Sequence, residues 1–307
     1  METPFIGSEA VRAGRLTAYQ LRTSCRSIYP DVYVSHPCEP SLKARALGAW
    51  LWSEKRATLA GLAAAAAHGA QWIDADTPVE LLWRNQHPPV GIVTRNERFA
   101  ADEAGWAWKL PVTTPARTAF DLGRHLVRAE AIARLDALMR ATPFRIDDVQ
   151  LLATRYRGAR GLKALRDVLP LVDGGAASPR ETWLRLLLIE GGLPRPTTQL
   201  PAVTITGRLV RMLDMGWKEY MVAVEYDGDQ HRTDRRQYVK DLRVQSQLAT
   251  MGWIVVRVIK EDGEQDVLDR VRQALASRGY RDTQTSAMTR RAAPQTFMPR
   301  EVSAGAQ

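Results

Sequence analysis

Residues 219–258 read EYMVAVEYDGDQHRTDRRQYVKDLRVQSQLATMGWIVVRV. The apolar run Tyr220 to Val224 is rich in β-branched residues, and a glycine, Gly228, soon follows it. Such a run reads as a buried strand. The charged stretch after it reads as a helix, and Trp253 to Val258 as a second strand. Side chains at i and i+2 of a strand share a face. Glu225 and Asp227 therefore meet at the strand's end, where the chain turns. Two acids there are costly to bury unless a positive group joins them. A divalent metal is one such group.

Upstream, Ser178-Pro179-Arg180-Glu181 has the form of a capping box, with proline at the first helical position. The helix it opens stops at Gly191-Gly192. Residues 199–205 and 209–215 read as a hairpin around Gly207, with Asp214 at the end of its second strand. Sequential strands usually pair, so Asp214, Glu225 and Asp227 are expected at one sheet edge. They would form a hard oxygen site for Mg²⁺ or Mn²⁺. Such an ion activates water and offsets charge on a phosphate. His231 follows closely and would relay a proton or contact the phosphate. Arg232, Arg235, Arg236, Lys240 and Arg243 form either a solvated helix face or a phosphate track. Glu181 reads equally as a capping glutamate and as a further acid of the site.

VAVEYDGDQHR, YVKDLR and MGWIVVRV, with SPRETWLRLLL and MLDMGW upstream, resemble the DUF559 group of Vsr-like endonucleases in the PD-(D/E)XK nuclease superfamily. The resemblance spans about residues 178–278. It implies a mixed sheet with flanking helices and a metal-dependent nuclease site. Asp214 would be the first metal ligand and Glu225 the second acid. Glu181, His231 and Asp241 would match the family's remaining site positions. Asp227 stands where the superfamily places lysine, so His231, a second metal or Arg243 would have to replace that charge.

The first half is mainly helical. Residues 1–40 read as short helices, Phe5 to Gly14 and Leu16 to Arg22, followed by a turn and strand over Ile28 to Val34. That order reads either as a small helical cap with a solvated polar face or as an arrangement resembling a winged helix-turn-helix, in which Gln20, Arg22 and Arg26 would face DNA. Ser41 to Trp52 and Thr58 to Gly69 read as helices, and Val79 to Trp83 and Val90 to Thr94 as strands. In the segment Leu110 to Leu122, Thr114 caps a helix beginning at Pro115. LTAYQLR, IYPDVYV, AAAAAHG and VTTPARTAFDL resemble AbiEi-like antitoxins of type IV toxin–antitoxin systems. This resemblance covers roughly residues 1–170 and implies a DNA-binding, regulatory half without catalysis. The expected organisation is a winged-helix-like unit (1–40), an AbiEi-like α+β domain (41–172), a linker (173–178), a nuclease-like α/β domain (179–280) and a disordered tail (281–307).

The 307-residue chain is 45% hydrophobic and carries a net charge of +9. The positive excess is spread along its length, so a nucleic-acid surface would have to be made by folding. No apolar run has membrane-spanning length. Two cysteines form no framework and no zinc spacing appears. These features point to a cytoplasmic protein without membrane contact. The expected function is divalent-metal-dependent hydrolysis of DNA phosphodiesters. The alternative is a DNA-binding antitoxin-like transcriptional regulator with an inactive nuclease-fold domain, acting with a partner toxin or as a homodimer. A third possibility is a purely structural two-domain protein with a protein partner.

Overall fold

The computed structural model describes residues 3–37, 39–228 and 235–281. The chain divides into two units, Met1–Leu186 and Leu187–Gln307.

Unit one opens with a small sheet and two short helices: β1 (Phe5–Ile6), α1 (Gly7–Arg12), α2 (Ala18–Ser24), β2 (Cys25–Tyr29) and β3 (Val32–Ser35). The strands pair in the order β1-β3-β2. Phe5 and Ile6, expected within a helix, instead pair with Tyr33 and Val32. Helix α1 then packs closely on β3: a Cβ on Gly7 would lie 2.5 Å from the Tyr33 ring.

Next come α3 (Leu42–Trp52), β4 (Thr58–Ala60), α4 (Gly61–Ala67), β5 (Val79–Leu82), β6 (Ile92–Arg95), β7 (Ala104–Ala107) and β8 (Leu110–Thr113). The five strands form a mixed sheet in the order β6-β5-β4-β8-β7. Thr58–Ala60, expected as helix, is a central strand paired with β5 on one side and β8 on the other. Gly61 ends it at φ +57, where a Cβ would also strike the Glu80 carboxylate. The alanines of α4 suit close packing, and Ala63, Ala64 and Ala65 are fully buried. Helices α5 (Pro115–His125), α6 (Arg128–Ala141), α7 (Ile146–Arg155) and α8 (Leu162–Val168) follow. Their core holds Phe120, Leu122, Ile132, Leu135, Leu138, Val149 and Leu165.

The glycine-rich stretch after α8, expected to be a linker, is fastened to unit one. Asp173 donates its backbone N–H to Asp136 Oδ1 at 2.7 Å, Arg140 reaches the Gly175 carbonyl at 3.1 Å, and Trp72 reaches the Ala177 carbonyl at 3.0 Å. Helix α9 (Pro179–Glu190) begins next. Its Thr182 and Arg185 bind the buried Asp136 carboxylate at 2.8 and 2.6 Å.

Unit two is a four-stranded mixed sheet of β9 (Thr197–Val203), β10 (Leu209–Trp217), β11 (Val222–Tyr226) and β12 (Ile254–Val258), with α10 (Arg235–Thr250) between the last two and α11 (Glu264–Ser277) after them. The order is β12-β11-β10-β9. The expected hairpin β9–β10 forms, β10 and β11 pair antiparallel, and β11 and β12 pair parallel. A parallel pair needs a crossover, which α10 supplies. Leu248 of α10 packs with Leu200, Ala202, Leu213 and Ala223 from the sheet.

Candidate nucleic-acid interface and acid cluster

Helix α2 has no buried residue. Its N-terminus is tied by a reciprocal capping box. Gln20 N–H donates to Thr17 Oγ1 at 3.1 Å, and Thr17 N–H donates to Gln20 Oε1 at 2.8 Å. The amide of Gln20, expected to face DNA, thus has a local structural task. Arg22 is exposed, and Tyr19 beside it is 69% exposed. Arg26 lies on β2 and pairs with Glu39. Of the three side chains expected to read DNA, Arg22 is the one with no protein partner shown, while Gln20 and Arg26 are engaged in local contacts.

The acids of unit two are placed by strand register. Met215 lies opposite Val224, so the next antiparallel pair is Asp214 and Glu225. Asp214 Oδ2 accepts the Tyr226 N–H at 2.9 Å. Glu225 is 5% exposed and aligns with Arg257 on β12. Asp227 lies just past β11, with its N–H on the Val258 carbonyl at 2.8 Å. Arginines stand among these acids. Arg211 Nε lies 2.9 Å from Glu225 Oε1, and its Nη1 lies 3.4 Å from Asp241. Arg257 lies 3.5 Å from Asp227. The Arg211–Glu225 contact is an ion pair rather than an aligned hydrogen bond, and Glu225 Oε1 has no hydrogen-bond donor.

Burial pushes the Asp214 carboxyl above its ordinary value; the Tyr226 N–H and Arg211 pull the other way, and the Asp227 charge adds to the rise. Burial also raises Glu225, opposed by Arg211 and reinforced by Asp214. Glu225 therefore feels the Asp214 charge. Among the described residues, however, no three His, Cys, Asp or Glu side chains group as a set able to hold a metal. Arg211 and Arg257 set positive charge against Glu225 and Asp227. His231 and Arg232 lie outside the described residues. Arg235, Arg236 and Lys240 fall on α10, and Arg243 on the same helix is exposed. Glu181 completes a capping box: its carboxylate accepts from Ser178 Oγ at 3.0 Å and from Ala177 N–H at 2.8 Å.

A second charged cluster, in unit one, escaped the sequence reading. Arg117 is 1% exposed. It reaches Asp121 at 3.0 Å and Glu103 at 2.6 Å, and lies 5.5 Å from the Phe120 ring centroid. Arg124 reaches Asp121 at 2.8 Å and Glu97 at 2.5 Å, and His125 lies 3.1 Å from Glu97. Tyr156 OH donates to Glu103 at 2.6 Å. The available signal was the spacing Arg117, Asp121, Arg124 on one helix, which puts opposite charges one turn apart.

Residues 57–171 match the family model described as AbiEi antitoxin C-terminal domain. This span begins just before β4 and ends beyond α8, so it holds the five-stranded sheet and the buried charged cluster. Two uncharacterized proteins of Mycobacterium tuberculosis, from different strains, are each 31% identical to the chain over 175 residues. The aligned part is 57% of this chain and 64% of each relative's length. No solved structure matches the chain.

Proposed function

We propose that the protein is a DNA-binding, antitoxin-like transcriptional regulator whose second unit retains a nuclease-like sheet without cleaving DNA. The observation that carries this reading is the AbiEi antitoxin match over residues 57–171. It directly follows a helical unit whose α2 presents no buried residue. In this reading α2 enters the major groove, and Arg22 supplies a phosphate or base contact. The counterpart implied by an antitoxin is a cognate toxin. Arg211 and Arg257 hold Glu225 and Asp227 in ion pairs, which supports an acid cluster kept folded by internal cations.

The test is selection of duplex fragments from the source genome on the full-length protein, followed by affinity measurements across a salt series. Specific binding is expected, with a steep salt slope. Arg22→Ala is expected to weaken it several-fold or more, while a metal chelator leaves it unchanged. Equal affinity for all fragments, or an Arg22→Ala variant binding as wild type, defeats the reading.

A second reading has its own support. Burial and the neighbouring Asp214 charge both raise the Glu225 carboxyl, a strain that a bound cation would relieve beyond what Arg211 supplies at 2.9 Å. In that reading Asp214, Glu225 and Asp227 hold Mg²⁺ or Mn²⁺, and the ion supplies Lewis-acid chemistry at a DNA phosphate. Cleavage of duplex, single-stranded or mismatched DNA that requires the ion and is lost in Asp214→Asn would establish it.

A further inference from the structure

Between β2 and the segment before β6, unit one has a cavity of about 480 Å³. Its wall includes Arg26, Ile28, Tyr29, Arg45, Asp76 and Val90. That volume falls in the range of small-molecule pockets. The feature that calls for explanation is Tyr29. Its side chain lies in the core, at 4% exposure, and its hydroxyl, which lies against the Arg45 guanidinium, has no aligned hydrogen bond. Buried polar groups are nearly always bonded, so an orphan hydroxyl on a cavity wall needs a reason.

Arg45 stands beside that hydroxyl. A Cβ built on Gly91 would lie 3.6 Å from Arg45 Nη2 and 3.9 Å from Tyr29 OH, so one small atom touches both groups. Arg45 Nη1 is already committed to the Ala75 carbonyl, which fixes the guanidinium with Nη2 on the Gly91 side, beside Tyr29. Burial holds the Tyr29 phenol above its ordinary value against the pull of Arg45. It is therefore a protonated donor at neutral pH. The two groups together present an O–H and a guanidinium N–H to one point.

The rest of the wall selects the occupant. Arg26 is paired with Glu39, so it contributes little net charge. Asp76 is exposed on the wall and disfavours a second negative charge. Val90 is 98% exposed, an apolar surface with nothing on it. We infer that this cavity is a receptor site for a small monocarboxylate with an apolar body, its carboxylate held between Tyr29 and Arg45 and its body against Val90 and Ile28. Because Tyr29 ends the strand that leaves α2, occupancy is placed to alter the DNA-binding helix. That last step rests on the DNA-binding reading proposed above.

The experiment uses the full chain and benzoate as probe, with benzamide and inorganic phosphate as controls, followed by calorimetry and by thermal shift. Saturable benzoate binding is expected, with benzamide and phosphate much weaker. Tyr29→Phe removes a hydroxyl whose polar neighbour, Arg45, makes no aligned hydrogen bond to it, so it is expected to fold as wild type while weakening benzoate about fivefold to tenfold. Arg45→Met is expected to abolish binding. Absence of saturable benzoate binding, or equal binding in wild type and Tyr29→Phe, overturns the site. DNA affinity is measured separately with and without benzoate. A shift that vanishes in Tyr29→Phe supports the link to α2. Benzoate binding in a chain that ignores DNA would leave the site standing and remove the regulator reading.

Discussion

Arg117, in unit one, stands among three carboxylates and Arg211, in unit two, between two, but their surroundings differ. Arg117 is almost wholly enclosed, at 1% side-chain exposure, and lies on Asp121, Glu103 and the aromatic rings of Phe120 and Tyr156. Its partners are shared with Arg124, Arg155 and Tyr156, so every acid there has several donors. Arg211 is 33% exposed and reaches Glu225 and Asp241 without giving Glu225 Oε1 an aligned hydrogen bond. Asp214 and Glu225 also repel each other. Buried charge is tolerated when each group is both paired and hydrogen-bonded. The acids of the first cluster meet that condition, although the Arg124 Nε has no hydrogen-bond partner, and the cluster is part of the scaffold. The second meets it less fully, because Glu225 Oε1 has the Arg211 charge at 2.9 Å without an aligned donor.

The largest effect expected from this contrast is on stability. Arg117→Met leaves Asp121 to Arg124 alone and Glu103 to Arg155 and Tyr156, and removal of so enclosed a partner should cost about 3 kcal/mol. Arg211→Met, at a partly solvated pair, should cost about 1 kcal/mol or less. Urea denaturation of both variants measures this, and similar losses would erase the distinction between the clusters.

The next effect is on acid stability. Burial alone would raise the Glu97 carboxyl, but the hydrogen bonds and charges of His125 and Arg124 outweigh it and hold it at about 2, against an ordinary 4.5. A folded value below the unfolded one means the contribution is complete above pH 4.5 and is lost as the pH falls towards 2. It is worth at most about 3 kcal/mol. Glu97→Gln should flatten the stability profile in that window and leave it parallel to wild type above it. An unchanged acid limb would mean that Glu97 is as loosely held as the acids of unit two.

The smallest effect concerns Asp214. Its raised carboxyl favours the folded state only while protonated, so its contribution fades as the pH climbs from 3.8. Asp214→Asn keeps an oxygen for the Tyr226 N–H and removes the repulsion. Metal-free protein should gain about 0.5–1 kcal/mol at pH 7, read as a higher Tm. A lower Tm would show that Arg211 holds Asp214 as firmly as Arg117 holds Asp121.

Local signals carried the sequence reading furthest. Thr114 and Pro115 opened α5 where expected, with Thr114 Oγ1 accepting the Arg117 N–H at 3.3 Å. Ser178 and Glu181 formed their box, and Gly207 sits at φ +80 between β9 and β10. The strand–helix–strand order over 222–258 was likewise visible, because each segment has its own periodicity. What failed depends on distant partners. Thr58–Ala60 is a strand because β5 and β8 flank it, and nothing within three residues announces that. Arg117 looks like a surface arginine until Glu103 and Tyr156 close over it. The three acids were placed in register, but Arg211 and Arg257 come from strands whose side-chain reach no linear spacing encodes.

The stretch Asp173–Ala177 has a practical consequence for anyone dividing the chain. Its glycines invite a cut, and exposed small-residue loops are where proteases usually nick. Here the backbone is held by Asp136, Arg140 and Trp72, so limited digestion of the native protein should pass it by. A fragment ending at Ser178 would also discard Thr182 and Arg185, leaving the Asp136 carboxylate, 1% exposed, without its cation. A soluble N-terminal piece must therefore run through the first turns of α9, to Leu186, where the sequence offers no visible seam.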